Sequence, residues 1–186
     1  MSVSARVVKE PSQSRFAKKD RYRIGTLLYF GDEQGRLLLI LRNRLPNKGL
    51  WCAVGGKLEM PIGESPYECA IREAKEEVGV ELATSDLVLR CILSEKDYEQ
   101  TGHWLMFVFQ VFKPLEGLPD DIAEGRFGFF ERTALETVSM PELDRRILLD
   151  RILSGDTDSL HVLRAGEGAN RNPSLLVEEA CIGGGS

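Results

Sequence analysis

Three carboxylates, Glu73, Glu76 and Glu77, stand at i, i+3 and i+4 in Arg72-Glu73-Ala74-Lys75-Glu76-Glu77-Val78-Gly79-Val80. They follow a double glycine, Gly55-Gly56, and a Gly63-Glu64-Ser65-Pro66 segment that reads as a helix start. A helix advances roughly 100° per residue, so the three acids share an arc of about 100°. Tyr67, Ala70, Ile71, Ala74 and Val78 share a similar arc centred roughly opposite. One face is core and the other is a carboxylate cluster, flanked by Arg72, whose guanidinium can hold one acid by a charge-assisted hydrogen bond. A solvated acidic face is the common fate of such a pattern, because like charges one turn apart cost only a few tenths of a kcal/mol. The glycine pair tips the balance. Backbone carbonyls without side chains can approach a cation, and an oxygen-only ligand set suits Mg²⁺ or Mn²⁺ rather than zinc. His103 and His161 are the only histidines, too few for a His-rich site.

The elements that must position these groups can be read from the rest of the chain. Arg21–Phe30 and Arg36–Leu41 are expected as strands joined by a turn at Gly31–Gly35. Arg42–Leu50 reads as a loop and Trp51–Val54 as a short strand entering the glycines. Ser65–Val78 is the clearest helix: Ser65 caps it, Pro66 suits its first position, Glu68 completes a capping box and Gly79 suits the left-handed end. Leu87–Leu93 and His103–Phe112 are expected strands, the second nearly all apolar, as when both faces are covered. Lys113–Arg126 reads as an acidic, Pro- and Gly-containing loop before a short strand at Phe127–Phe130. A second helix is expected over Pro141–Leu153 and an edge strand over Ser159–Arg164. Interleaved strands and helices predict an α/β fold, an α/β/α sandwich with a mixed β-sheet between helices. The domain is expected over 21–165, with a flexible leader at 1–20 and a flexible tail at 166–186.

The bulk numbers set outer bounds. A chain of 186 residues at 42% hydrophobic can bury one domain's core. Its net charge of −5 gives no reason to expect stable nucleic-acid binding; an acidic protein can still bind polyphosphate when metal ions mediate the contact. Four widely spaced cysteines without a CxxC, Cys52, Cys69, Cys91 and Cys181, read as reduced thiols of a cytoplasmic protein. No apolar run predicts a signal peptide or a membrane span.

The segment resembles the Nudix box, G-x5-E-x7-R-E-U-x-E-E-x-G-U with U aliphatic. Glu64, seven residues, and Arg72 to Val80 match it closely, with Ala74 a small occupant of the first U position. Likeness continues from about Arg23 to about Leu153, including His103-Trp104 and Glu124-Gly125-Arg126-Phe127. One departure stands out. Seven residues rather than five separate Gly56 from Glu64, with the extra pair near Met60–Ile62, where Pro61 is expected to hold Met60 extended.

The resemblance implies a metal-dependent hydrolase that cleaves a nucleoside diphosphate from another moiety, with a nucleotide as its small-molecule partner. Glu76 and Glu77 are then the main metal ligands, with Glu73 near the metals or acting on water and the Gly56 carbonyl a further ligand. Arg72 orients the carboxylates and Glu64 supports the loop. Metal ions neutralise pyrophosphate charge and activate water, whose proton a carboxylate takes. Glu73 and Glu124 are both open as that base and Glu124 as a ligand, with a solvated loop acid the alternative for Glu124. Arg42 and Arg44, like Gly55 and Gly56, are candidate substrate contacts; surface arginines are the other reading. Trp51 and Trp104 could stack on a base, although core packing is the commoner role, and His103 reads as a hydrogen-bonded structural residue.

A nucleoside triphosphate, oxidised or non-standard bases included, is the first expected substrate, giving monophosphate and pyrophosphate. ADP-ribose, a sugar nucleotide or a dinucleoside polyphosphate is the second. A non-catalytic nucleotide-binding regulator is the third, opposed by the intact box. MutT-type members place a base-reading Asn early in the last helix. That position falls on Leu143, which cannot supply the amide pattern. The family often dimerises, so a homodimer is among the expectations.

Overall fold

The computed structural model describes residues 22–98, 102–147, 152–153, 159–167 and 173–182. The expected leader lies outside them. Among the described residues, eight strands and two α-helices run in the order β1 (Tyr22–Tyr29), β2 (Leu37–Arg42), β3 (Trp51–Cys52), α1 (Pro66–Glu73), β4 (Leu87–Glu95), β5 (His103–Val111), β6 (Gly125–Phe130), α2 (Glu142–Ile147), β7 (Ser159–Glu167) and β8 (Pro173–Ile182).

The strands form two sheets. The larger is mixed, ordered β1-β5-β4-β7-β8, with β1/β5 and β4/β7 parallel and β5/β4 and β7/β8 antiparallel. The smaller is antiparallel, ordered β3-β2-β6. Bridges from Gly25 to Lys57 and from Leu28 to Val54 tie the segment after β3 to β1. The expected α/β class and mixed sheet are present, with β2, β3 and β6 set apart as a second sheet.

Alternation along β1 explains the layering. Leu28 and Phe30 point to one core, shared with Ala70, Ala74 and Val78 of the acidic helix. Tyr29 points to the other, shared with Leu143 and Ile147 of α2. The two cores are thereby closed by different helices, and the predicted apolar face of the box helix is its buried one.

Two expectations are corrected near the C-terminus. The segment expected as a flexible tail contains β8, which pairs with β7 over its length. In consequence β7 is an internal strand between β4 and β8, not an edge. Leu175-Leu176-Val177 is a β-prone run, concealed in sequence by the glycines and asparagines around it. Of the second expected helix, 142–147 is helical and 148–151 lies outside the described residues. Among the described residues no helix is long and apolar enough to cross a membrane.

Candidate active site

The box helix begins as its sequence dictates. Ser65 Oγ accepts from the Glu68 N–H at 3.2 Å and Glu68 Oε2 accepts from the Ser65 N–H at 2.8 Å, a complete capping box. Its end departs from expectation. From Ala74 to Val78 the chain widens into a π-turn, closed by Gly79 at φ +76°. A π-turn carries more residues per turn than an α-helix, so each advances by a smaller angle. Glu76 is thereby left on the exposed side, whereas Glu73 is buried and Glu77 half-buried. The single carboxylate face predicted from α-helical geometry is divided in two.

Arg72 organises the buried part. Its Nε and Nη2 donate to Glu64 Oε1 at 2.7 Å and Oε2 at 3.1 Å, a bidentate pair. Its Nη1 donates to Glu73 Oε1 at 2.7 Å and Glu76 Oε2 at 3.0 Å, and its Nη2 also donates to the Lys57 carbonyl at 3.0 Å. The Glu59 N–H donates to Glu64 Oε2 at 2.7 Å, which ties in the loop. The Arg72 guanidinium and this N–H hold the Glu64 carboxyl below the usual range, although burial opposes them. Burial pushes Glu73 upward, against the pull of Arg72. Glu77 is raised to about 7 by burial, with the Glu73 charge adding to it; the Gly55 N–H, donating at 3.3 Å, opposes this.

The glycine pair fits tightly. A Cβ on Gly56 would overlap the Glu73 carboxylate, and one on Gly55, at φ +147°, would overlap the Thr26 carbonyl. The Gly56 carbonyl accepts from the Thr26 N–H at 2.8 Å. The longer loop leaves this placement intact, because it folds its extra residues into a 3₁₀ turn at Met60–Ile62, ended by Gly63 at φ +72°. Met60 is therefore part of a helical turn rather than extended as its following proline suggested. The turn instead presents Met60 and Ile62 to solvent, 61% and 73% exposed.

A cavity of about 640 Å³ gathers the remaining candidates. Arg42, Arg44, Gly55, Gly56, Arg72, Glu73, Glu77 and Glu124 all line it, and Glu76 does not. Arg44 forms an ion pair with Glu124 Oε1, and Arg42 approaches Glu124 Oε2 at 3.8 Å. Arg42 Nε also donates to the Pro46 carbonyl at 2.8 Å. Asp121 sits apart, its Oδ1 accepting from the Phe127 N–H at 3.4 Å. Trp51 packs edge-on against Phe130, with ring centroids 4.6 Å apart. Trp104 is mostly buried yet lines the cavity, with Lys57 and Arg23 over its ring. His103 accepts from the Asp97 N–H at 3.1 Å, a structural contact.

Three residues at the far end were not singled out from sequence: Asn47, Glu95 and Asp144. A signal for the acids was available. Glu95 continues the inward alternation of Cys91 and Leu93, and Asp144 lies four residues after Met140 and three before Ile147, both core residues. Leu143, expected at a base-reading position, is buried in the α2 core while its neighbour Asp144 faces the cavity.

A family model described as NUDIX domain matches residues 21–150. The chain belongs to the Nudix family. It is 29% identical over 111 residues to the uncharacterized Nudix hydrolase YvcI of Bacillus subtilis, which covers 59% of this chain and 68% of that protein. The fold is similar to a crystal structure of a mutator MutT protein from Bacillus halodurans, with TM-score 0.67 and 22% identity over 84% of this chain and 97% of that one. It is also similar to a MutT Nudix hydrolase from Burkholderia pseudomallei, with TM-score 0.57 and 27% identity over 72% and 99%. Nudix hydrolases cleave phosphoanhydride bonds, and the Arg72-centred cluster is this chain's form of the Nudix box.

The oxygen donors of Glu73, Glu77 and Gly56 fit a hard divalent cation, and the half-buried Glu77 carboxyl has a backbone N–H as its hydrogen-bond donor. Among the described residues no three His, Cys, Asp or Glu side chains converge into a ready-made metal cage.

Proposed function

We propose that this protein hydrolyses a nucleoside triphosphate to the monophosphate and pyrophosphate, using Mg²⁺ or Mn²⁺. The observation that carries this reading is the cavity. It brings buried carboxylates of the Nudix box to one wall and the Arg42–Glu124–Arg44 group to another. A divalent cation held by Glu77 and the Gly56 carbonyl, with Glu73 beside it, would neutralise phosphate charge and activate water for in-line attack. Exposed Glu76, the expected main ligand, is bonded to Arg72 here and serves to steady it.

The chain's own groups divide the remaining work. Arg72 holds Glu64 and Glu73 in place and so fixes the carboxyl that faces Gly56. Arg42 and Arg44 bind phosphate oxygens, with Glu124 keeping the two guanidinium groups together until substrate arrives. Glu73 is the favoured proton acceptor. It gives Oε1 to Arg72, which leaves Oε2 for a water, whereas both carboxylate oxygens of Glu124 face an arginine. Cys52, Cys69 and Cys91 are buried and form no disulfide, which supports a cytoplasmic location.

The test is product analysis across a panel of nucleoside triphosphates, ADP-ribose, sugar nucleotides and dinucleoside polyphosphates during Mg²⁺ titration. Pyrophosphate and monophosphate from a triphosphate, absent with excess chelator, is the expected result. Preferential cleavage of ADP-ribose or a dinucleotide would replace the substrate assignment. Tight binding without hydrolysis of any member would turn the reading into that of a binding module.

A further inference from the structure

The arginines assigned to phosphate depend on a stretch of chain that has no hold in the core. Between β2 and β3 no residue from 43 to 50 is buried, and Leu45 is 76% exposed. This loop carries Arg44, and its Pro46 carbonyl accepts from Arg42 Nε. Backbone hydrogen bonds close its neck: the Gly49 N–H donates to the Arg42 carbonyl at 2.8 Å and the Arg42 N–H to the Leu50 carbonyl at 3.0 Å. Beyond that neck, polar contacts with the segments on either side set its place, because no buried side chain does.

Those contacts differ in kind. On one side the Asn43 N–H donates to the Glu124 carbonyl at 2.9 Å, Asn43 Nδ2 donates to the Ala123 carbonyl at 3.0 Å, and Arg44 pairs with the Glu124 carboxylate. Substrate phosphates compete for the last of these, because they need the same guanidinium group. On the other side the Tyr98 hydroxyl donates to Asn47 Oδ1. Tyr98 follows β4 of the larger sheet and packs against the core that holds Trp104 and Leu143, whereas the loop joins two strands of the smaller sheet. Tyr98 and Asn47 both line the cavity, so their hydrogen bond ties two of its walls together. Phosphate does not compete for it. Asn47 suits the position. It stands at φ +62°, a left-handed conformation that asparagine adopts more readily than most residues, and its amide supplies the acceptor.

We propose that Tyr98 is a positioning residue for phosphate binding: through Asn47 it holds the 43–50 loop so that Arg42 and Arg44 stay directed at the cavity once phosphate has drawn them from Glu124. The proposal rests on the reading of these arginines as phosphate contacts and deepens it. Tyr98 acts on substrate through the loop and touches no reacting atom. Its own place does not depend on the loop, since its ring packs on the core and its N–H donates to the Gly102 carbonyl at 3.1 Å. The hydroxyl is therefore the group that transmits the constraint. One such hydrogen bond shifts an equilibrium by about fivefold, which sets the size of the effect.

The experiment measures kcat and KM for the nucleoside triphosphate turned over fastest, and the Kd of inorganic pyrophosphate with Mg²⁺. It uses the full chain, Tyr98→Phe, Asn47→Gly, Arg44→Ala, and Tyr98→Phe combined with each of the other two. Tyr98→Phe keeps the ring and removes only the hydroxyl. It is expected to raise KM and the pyrophosphate Kd about fivefold, with kcat within about twofold of wild type. Asn47→Gly keeps the left-handed backbone and should match it, and the two together should cost no more than either, since both remove one hydrogen bond. In the Arg44→Ala background the effect of Tyr98→Phe should shrink to about twofold or less. Limited trypsin digestion should cut Tyr98→Phe after Arg44 and Lys48 several-fold faster than wild type, a readout that needs no turnover. Unchanged KM and pyrophosphate affinity in Tyr98→Phe, or unchanged cleavage of the loop, overturns the positioning role. A full effect persisting in the Arg44→Ala background also overturns it, because Tyr98 would then act on substrate directly. Weakened binding in Arg44→Ala beside a silent Tyr98→Phe overturns the proposal alone. Wild-type KM and pyrophosphate affinity in Arg44→Ala overturn the phosphate reading of the loop and the proposal with it.

Discussion

The two ends of the cavity are both acidic, yet they handle their carboxyls in opposite ways. At the box end, Arg72 threads Glu64, Glu73 and Glu76 together, and backbone N–H groups serve Glu64 and Glu77. At the α2 end, Glu95 and Asp144 have no cation and no donor among the described residues, and burial pushes both toward the neutral acid. The contrast teaches that residue type alone does not assign a role. Carboxyls wired to arginine and glycine are arranged to carry charge beside a phosphate. Carboxyls set in an apolar wall are arranged to shed it.

The largest effect expected from this contrast is on turnover. Glu73→Gln should lower kcat by about a thousandfold, within the range for removal of a general base. Glu124→Gln should stay within about tenfold at matched Mg²⁺. Steady-state kinetics on the best substrate checks both, and a large loss in Glu124→Gln with near-normal Glu73→Gln would reverse the assignment of the base. Next in size is Gly56→Ala. Its Cβ would displace the Glu73 carboxylate, so a loss of about a hundredfold in kcat is expected from a misplaced group. Circular dichroism should show the fold retained.

The smallest effect is on stability and belongs to the other end. Glu95 and Asp144 bind protons more tightly folded than unfolded, so the native state holds more protons between an unfolded pKa of about 4 and a folded value of about 7 to 8. Unfolding free energy from this pair is therefore fully present below about pH 4 and is lost as pH rises toward 8. Glu95→Gln should be more stable than wild type at pH 8.5 by on the order of 2 kcal/mol, a gain that disappears at pH 5. Urea denaturation at the two pH values measures it. A gain that is the same at both values would show that Glu95 is already ionised when folded.

Much of the box end was legible in the sequence because its signals are local. Ser65, Pro66, Glu68 and Gly79 set the helix limits through short-range hydrogen bonds and backbone preferences. The apolar spacing of Ala70, Ala74 and Val78 fixed its inward face. What escaped depends on longer-range or subtler geometry. The π-turn that moves Glu76 aside needs a change of pitch that a fixed helical period does not contain. The 3₁₀ turn absorbing Met60–Ile62 overrode the extended preference of a residue before proline. β8 and the internal position of β7 rest on pairing between strands. Glu95 and Asp144 were concealed for a different reason: the pattern placed them inward, but acids at inward positions are rare enough to be passed over.

The central claim, that the carboxyls wired to Arg72 do the chemistry while the loop held by Tyr98 binds phosphate, is tested most directly by measuring kcat and KM separately for Glu73→Gln and Tyr98→Phe on the same nucleotide. The account predicts that Glu73→Gln loses kcat with KM nearly unchanged, while Tyr98→Phe raises KM and keeps kcat. Equal losses of kcat in both variants, or a KM effect confined to Glu73→Gln, would contradict it.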